Sequence, residues 1–301
     1  AAAATLAALP QDAAAQMAVP RSGGPSTLTF PELRHQLAQD HAVAEGYEAQ
    51  IVIRWGDPVL AGAAPFDPNR VTEAAQARQF GYNCDYLDFF PLPQGSRTAD
   101  HGLLVVNHEY TNTNLMFPGM GSGRQARTRS NAEQVRAEMM AHGLSVVEVK
   151  REGGRWSALP GGRQNRRITA DTPMRIAGPA AGAARMKTAA DPAGTRVLGT
   201  INNCAGGNTP WGTVLTGEEN FNGYFGGDPA KTPHEAIMRR YGIVNDSWYN
   251  WWRHQDRFNI EKEPNESFRF GWVVEFDPYD PDSVPVKRTA LGRFKHEGAT
   301  H

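Results

Sequence analysis

Short runs of apolar and β-branched residues, separated by clusters of glycine, proline and asparagine, recur along most of this chain. Such runs predict β-strands. The sequence VVEVKREGGRW also predicts a β-hairpin, because Gly153 and Gly154 can form the tight turn between its two strands. The predicted strands are residues 48–55, 103–110, 144–150, 155–159, 197–203, 213–219, 271–277 and 288–294.

Helical patterns are few, and they interrupt the strands rather than alternate with them. The predicted helices are residues 31–41, residues 131–142 and an aromatic-rich insertion at 233–256. We expect the aromatic side chains of the insertion to form a small core of their own.

This order of elements favours an all-β protein with helical insertions. The 31 glycines and 21 prolines among 301 residues are too many helix breakers for a helical bundle. Strand pairs that recur every ~40–50 residues favour a β-propeller over a sandwich or a barrel. About three blades are visible, fewer than the four to eight of a closed propeller. We therefore expect residues 26–301 to be the N-terminal part of a propeller domain.

Charge and composition exclude several classes of protein. Lys plus Arg is 31 and Asp plus Glu is 32, so a net charge of −1 gives no field to attract nucleic acid or an anionic membrane. Two cysteines allow one disulfide but no disulfide framework. No apolar run reaches the ~20 residues that span a bilayer. Residues 1–25 are alanine-rich and predict either the remnant of an export signal or a disordered arm.

Polar side chains follow four of the apolar runs, at the point where each run ends. If the strands converge, as propeller strands do, these side chains meet in one pocket. Crowded carboxylates repel each other, and bound cations remove that repulsion. Carboxylate and amide oxygens suit hard cations, whereas a thiolate indicates a transition metal. The sequence therefore predicts an oxygen-rich metal site with one sulfur ligand. The candidate segments are Asn107-His108-Glu109, Asn202-Asn203-Cys204, Glu218-Glu219-Asn220 and His296-Glu297.

Each candidate also has a structural interpretation. Glu218 and Glu219 alternate faces on a strand, so one of them can face solvent. Asn203 can cap a turn, and Cys204 can be a small buried apolar residue. His108 and His296 fit hydrogen-bonded packing positions, and Cys84 in GYNCDYLDFF fits a structural role.

Together these segments resemble the PhoX-type alkaline phosphatases, a family of exported bacterial enzymes. The resemblance covers nearly all of residues 46–301, and the block from residue 200 to residue 226 is its most specific part. Its motifs are GYEAQIVIRWGDPVL, LLVVNHEYTN, AHGLSVVEV, TINNCAGGNTPWGTVLTGEENFNGYFG, GWVVEFDPYDP and RTALGRFKHEGA.

The resemblance implies a six-bladed β-propeller whose active site holds ferric iron (Fe3+) and calcium (Ca2+). By motif, Cys204 in NNC corresponds to an iron ligand and Glu297 in KHEGA to an iron or bridging carboxylate. Glu109 in NHEY, and Glu218 or Glu219 in GEEN, correspond to calcium or bridging ligands. Asn203 is a weaker candidate for the same set of ligands. We assign no catalytic side chain.

The implied reaction is the hydrolysis of phosphate monoesters with release of inorganic phosphate. The family is exported folded by the twin-arginine route, so we expect a periplasmic or secreted protein, and a monomer. Family members are longer, and their later half carries an arginine and a further carboxylate in an R-P-E context that this chain lacks. We therefore expect an N-terminal portion with an incomplete site.

Two other functions compete with this interpretation. A calcium-dependent propeller lactonase or esterase also places Asn and Glu ligands at inner strand ends, but it needs no thiolate. A propeller that acts only as a binding scaffold would need no metal at all.

Overall fold

The computed structural model describes residues 30–34 and 36–301. These residues divide into two compact units, one up to Gln50 and one from Ile51 to His301. The expectations for residues 1–25 lie outside the described residues. In the first unit, the described residues form neither helix nor strand.

Eleven strands in the described part of the second unit form two sheets. The strands are β1 Cys84–Pro91, β2 His101–His108, β3 Gly143–Glu152, β4 Arg155–Ala158, β5 Arg166–Ile168, β6 Pro173–Ala177, β7 Arg196–Leu198, β8 Asn203–Asn208, β9 Val214–Glu218, β10 Val273–Phe276 and β11 Val286–Arg288. One sheet has the order β1-β2-β3-β4, all antiparallel, with β5 also paired to β3. The other has the order β7-β6-β11-β10-β9-β8 and is antiparallel except where β11 meets β6.

The helices are short and connect or flank these strands. The α-helices are α1 Glu73–Gln76, α2 Thr113–Met116, α3 Gly123–Arg129, α4 Ala132–Ala141, α5 Glu235–Arg240 and α6 Trp251–His254. The 3-10 helices are Ala184–Met186, Phe221–Tyr224, Pro229–Lys231, Asp256–Phe258, Glu266–Arg269 and Thr289–Leu291.

The protein is thus mostly β-sheet with some helices, as the sequence predicts, and the six-bladed propeller stays a prediction. The hairpin β3–β4 is confirmed: Glu152 pairs with Arg155, and Gly153 and Gly154 have φ of 56° and 84°, which residues with a Cβ rarely adopt. Helix α4 is also confirmed. Asn131 caps it in a capping box with Gln134.

Several predicted elements are wrong. Residues 31–34 and 36–41 are not helical. Leu33 and Leu37 are exposed, so the burial of these apolar side chains does not stabilise a helix there. Residues 48–55 form no strand. In the segment 288–294, Arg288 is the last residue of β11 and Thr289–Leu291 form a 3-10 helix, which is followed by Gly292 at φ 84°. Strands β1, β5, β6 and β11 are not among the predicted strands.

The aromatic insertion does not form a core of its own. Tyr249 and Trp251 belong to the main hydrophobic cluster, which also contains Leu103 of β2, Val146 of β3 and Val274 of β10. Large side chains of the insertion are therefore part of the core that the two sheets share.

Candidate metal centre

Side chains from both sheets meet where β1, β2, β8 and β9 approach one another. The potential ligand atoms of Asp85, Glu109 and Cys204 all lie within 4.8 Å of one another, and so do those of Cys204, Glu219 and Glu297. Cys204 belongs to both triads. Its sulfur lies 3.4 Å from Asp85 Oδ2 and 3.8 Å from Glu297 Oε1.

Asn107 joins the two sheets beside this cluster. It is completely buried at the end of β2. Its side-chain amide donates to the main-chain carbonyl of Cys204 and, at 2.9 Å, to Thr216 Oγ1 on β9. This contact holds the end of the first sheet against the strand that carries the thiol.

Glu297 reaches the cluster because the segment around it lies across β8 and β9. The Ala205 N–H donates to the Glu297 carbonyl at 2.7 Å, and the His296 N–H donates to the Glu218 carbonyl at 3.3 Å. A Cβ on Gly217 would lie 2.5 Å from the His296 carbonyl oxygen, so only glycine permits this approach. Glu297 is exposed, whereas Cys204 is buried.

The crowding of acidic groups shifts their protonation. Burial, reinforced by the charges of Asp85, Glu219 and Glu297, raises the pKa of Glu109 from 4.5 to about 7. Burial and the neighbouring Glu297 raise the pKa of Glu219. Burial and the charge of Glu109 raise the pKa of the Cys204 thiol far above its usual range. A bound cation would reverse these shifts, because it stabilises the ionised forms.

The raised pKa of Glu109 predicts how stability depends on pH. Between pH 4.5 and about 7 the folded, cation-free protein holds more protons than the unfolded chain. Its free energy of unfolding should therefore fall as the pH rises through this window. Urea denaturation in the presence of a chelator measures this slope. Glu109→Gln should flatten the slope, and Glu235→Gln on the exposed face of α5 should not. Equal slopes for Glu109→Gln and the parent would contradict the prediction.

Glu218 and Glu219 point to different places. Glu219 joins the cluster, whereas the completely buried Glu218 accepts a 2.7 Å hydrogen bond from Lys287 Nζ. The main-chain N–H groups of Gly271 and Trp272 donate to its other oxygen at 3.0 and 3.2 Å. Lys287 is completely buried too, and burial lowers its pKa to about 8. Both oxygens of Glu218 are therefore occupied inside the protein.

The Asn203 side chain also points into the sheet. Its amide donates to Thr200 Oγ1 at 2.8 Å and to Thr216 Oγ1 at 3.2 Å. His108 packs internally beside Ser145 Oγ, at 2.7 Å. Cys84 and Cys204 are both free thiols, and Cys84 is exposed.

Asp85 is the member of the cluster that the sequence analysis missed. It lies in β1 at an irregularity of the β1–β2 pairing, between Cys84 and Leu87. The available signal was the run CDYLDFFP, whose aromatic residues favour a strand. Without β1, nothing placed Asp85 beside Glu109.

The residues fit a cation site by their chemistry. Four carboxylates offer hard oxygen ligands, and one cysteine offers a sulfur ligand. A comparison with family models matches residues 28–301 to alkaline phosphatase PhoX. The chain belongs to the PhoX alkaline phosphatase family.

Among solved structures, this PhoX-family chain is similar to Pseudomonas fluorescens PhoX in complex with vanadate, a transition state analogue. The two are 45% identical, with a TM-score of 0.79. The match covers 86% of this chain and 43% of that one, so the chain spans less than half the length of its structural relative. A comparison with curated proteins gave no match.

PhoX proteins are generally exported, and they are metal-dependent. Within residues 30–34 and 36–301, none of the helices has the length and apolar character required to cross a bilayer.

Proposed function

We propose that this protein is a metal-dependent alkaline phosphatase that hydrolyses phosphate monoesters and releases inorganic phosphate. The observation that carries the proposal is the pair of triads that share Cys204, found in a chain of the PhoX family. The vanadate complex of the structural relative supports a phosphoryl-transfer site in that protein. A calcium-dependent propeller lactonase or esterase needs no thiolate in its site, and a binding scaffold needs no crowded carboxylates.

We propose that the cluster binds Fe3+ and Ca2+. Cys204 supplies the sulfur that distinguishes an iron ligand set from one made for calcium alone. Asp85, Glu109, Glu219 and Glu297 supply carboxylate oxygens for either cation.

We assign Glu219 rather than Glu218 as the ligand of the GEEN motif, since Lys287 and two main-chain N–H groups occupy Glu218. Asn203 then supports the site from within the sheet through Thr200 and Thr216.

The chain's own residues hold and orient the reacting groups. Cations, when bound, neutralise phosphoryl oxygens and lower the pKa of a bound oxygen. Before they bind, Glu109 and Cys204 must lose their protons, because the ionised forms are the ligands. The burial of Cys204 limits water at the sulfur, and the exposure of Glu297 leaves that part of the cluster accessible to a substrate.

The proposal also covers the arrangement of the strands, the oligomeric state and the location of the protein. Strands β1–β4 and β8–β11 are two four-stranded antiparallel meanders, the pattern of propeller blades. We propose that they are neighbouring blades of a six-bladed propeller. We also propose that the protein is a monomer, acts in the periplasm or outside the cell, and reaches it by twin-arginine export.

The activity can be tested with p-nitrophenyl phosphate. The full-length protein should hydrolyse this ester at alkaline pH, and EGTA should abolish the activity until Ca2+ is restored. The matched substrate control is p-nitrophenyl acetate, which a lactonase or esterase would hydrolyse instead. Phosphatase activity that survives calcium removal, or hydrolysis of the acetate alone, would refute the proposal.

A further inference from the structure

Two asparagines share an unusual backbone conformation beside the cluster. In the described part of the chain, Asn83 and Asn202 are the residues other than glycine with positive φ, at 52° and 50°. A Cβ makes this left-handed conformation unfavourable, and asparagine tolerates it better than most residues. A left-handed residue that is not glycine persists only where the surrounding structure requires it.

The two asparagines occupy equivalent places in the two sheets. Asn83 directly precedes β1, and Asn202 directly precedes β8. The carbonyl of Asn83 accepts the main-chain N–H of Glu109 at 3.3 Å, and the carbonyl of Asn202 accepts that of Glu219 at 2.9 Å. Each asparagine therefore fixes the backbone of one glutamate of the cluster.

The pairing beyond each asparagine is equivalent as well. The residue after each asparagine pairs with the residue before the corresponding glutamate of the cluster. Cys84 pairs with His108 in the first hairpin, β1–β2, and Asn203 pairs with Glu218 in the second hairpin, β8–β9. In both hairpins the pairing is then interrupted, before Leu87 and before Gly206.

The residue two positions after each asparagine falls in this interruption. That residue is Asp85 in the first hairpin and Cys204 in the second, and both belong to the cluster. Each hairpin thus contributes one residue from its interrupted strand and one glutamate from the opposite strand.

We propose that Asn83 and Asn202 are equivalent positioning residues, whose left-handed backbone directs Asp85 with Glu109, and Cys204 with Glu219, into one cation site. This inference rests on the metal site of the proposed function. The cluster is then two copies of one hairpin arrangement that face each other, with Glu297 added from a third segment.

The asparagine side chains reinforce the backbone arrangement. Asn202 Oδ1 accepts the N–H of Asn220, and its Nδ2 donates to the Tyr224 hydroxyl at 3.3 Å. Asn83 Nδ2 lies 3.4 Å from Glu109 Oε2. The side-chain contacts differ between the two sites, whereas the backbone contacts are the same, so the shared function lies in the backbone.

The test compares glycine and alanine at each position. Glycine adopts positive φ without strain, and alanine does not. Both remove the same side-chain contacts. Titration of the cation-free, full-length protein with Co2+ measures the affinity, and the thiolate-to-cobalt absorption band reports on Cys204. We expect Asn83→Gly and Asn202→Gly to bind Co2+ about 10-fold more tightly than Asn83→Ala and Asn202→Ala, because the cation-bound site requires the left-handed backbone.

The absorption band distinguishes the effects of substitutions in the two hairpins. Asn202→Ala should weaken or shift the band, since Cys204 follows Asn202 by two residues. Asn83→Ala should lower the affinity but leave the band of the saturated protein unchanged. The matched control is Asn265, whose φ is −91°, where the glycine and alanine variants should both bind like the parent.

The outcomes distinguish this inference from the proposed function. A parent protein that binds Co2+ without a thiolate band would overturn the metal site and this proposal with it. A parent that shows the band, with alanine and glycine variants of equal affinity, would overturn the positioning role alone. A purely structural role would lower the Tm of the cation-free alanine variants without changing the Kd for Co2+, which would also overturn it.

Discussion

Replacing Cys204 with alanine should abolish iron binding and lower the phosphatase activity by more than about 100-fold. Loss of a residue that merely supports a metal ligand costs about 10–100-fold in affinity or activity, and Cys204 is itself a ligand in the proposed site. It is also shared by both triads, so its loss affects every carboxylate of the cluster. Metal analysis of the purified protein and p-nitrophenyl phosphate hydrolysis measure the two effects.

The matched control is Cys84→Ala. Cys84 is the chain's other cysteine, and it is exposed at the start of β1. This variant should keep its iron and its activity. Normal iron content in the Cys204 variant would remove Cys204 from the ligand set, whatever happens to the activity.

Replacing Lys287 with methionine should lower the free energy of unfolding by about 3–5 kcal/mol. This is the typical cost of removing one partner of a buried ion pair, because the other charge is left without compensation. Lys287 and Glu218 are both completely buried, 2.7 Å apart. The variant leaves the buried Glu218 with hydrogen bonds from Thr200, Gly271 and Trp272 but without its ion-pair partner. Urea denaturation measures the loss.

Two further variants control this measurement. Lys262→Met removes an exposed ion pair with Asp256 and should cost at most about 1 kcal/mol. Adding Glu218→Gln to Lys287→Met should recover part of the lost stability, because it removes the unpaired charge. If Lys287→Met unfolds like the Lys262 variant, the buried pair does not stabilise the fold as argued.

Most members of the cluster could be predicted from the sequence, but the directions of their side chains could not. Polar residues that follow apolar runs led to Glu109, Cys204, Glu219 and Glu297, which the structure brings together. This pattern identifies candidate ligands because a buried strand is apolar along its length, and polar side chains appear where it reaches a sheet edge or a pocket.

The choice between Glu218 and Glu219 could not be made from the sequence. It depends on Lys287, a residue 69 positions away that pairs with Glu218 only after β9, β10 and β11 are assembled. Asp85 was missed for a similar reason. Its direction is set by an interruption in the strand pairing, which no local pattern encodes.

The fold was predictable where local signals agreed. The Gly153-Gly154 hairpin and the capped helix α4 each combine a suitable turn or cap with a buried face. The segment from residue 197 to residue 203 has one apolar run but two strands. Gly199, at φ 80°, and Asn202, at φ 50°, break it. Their main chains form hydrogen bonds with residues distant in the sequence, Gly199 with Thr172 and Asn202 with Glu219.

The segment that carries Glu297 gives the cluster a consequence for folding. The groups around Cys204 come from two hairpins and from this third segment, which lies on β8 through the hydrogen bond between Ala205 and Glu297. A cation held by all three would act as a cross-link between distant parts of the chain, and its binding energy would add to the stability of the assembled state. Loss of the cation would then lower the stability of the folded protein as well as its activity.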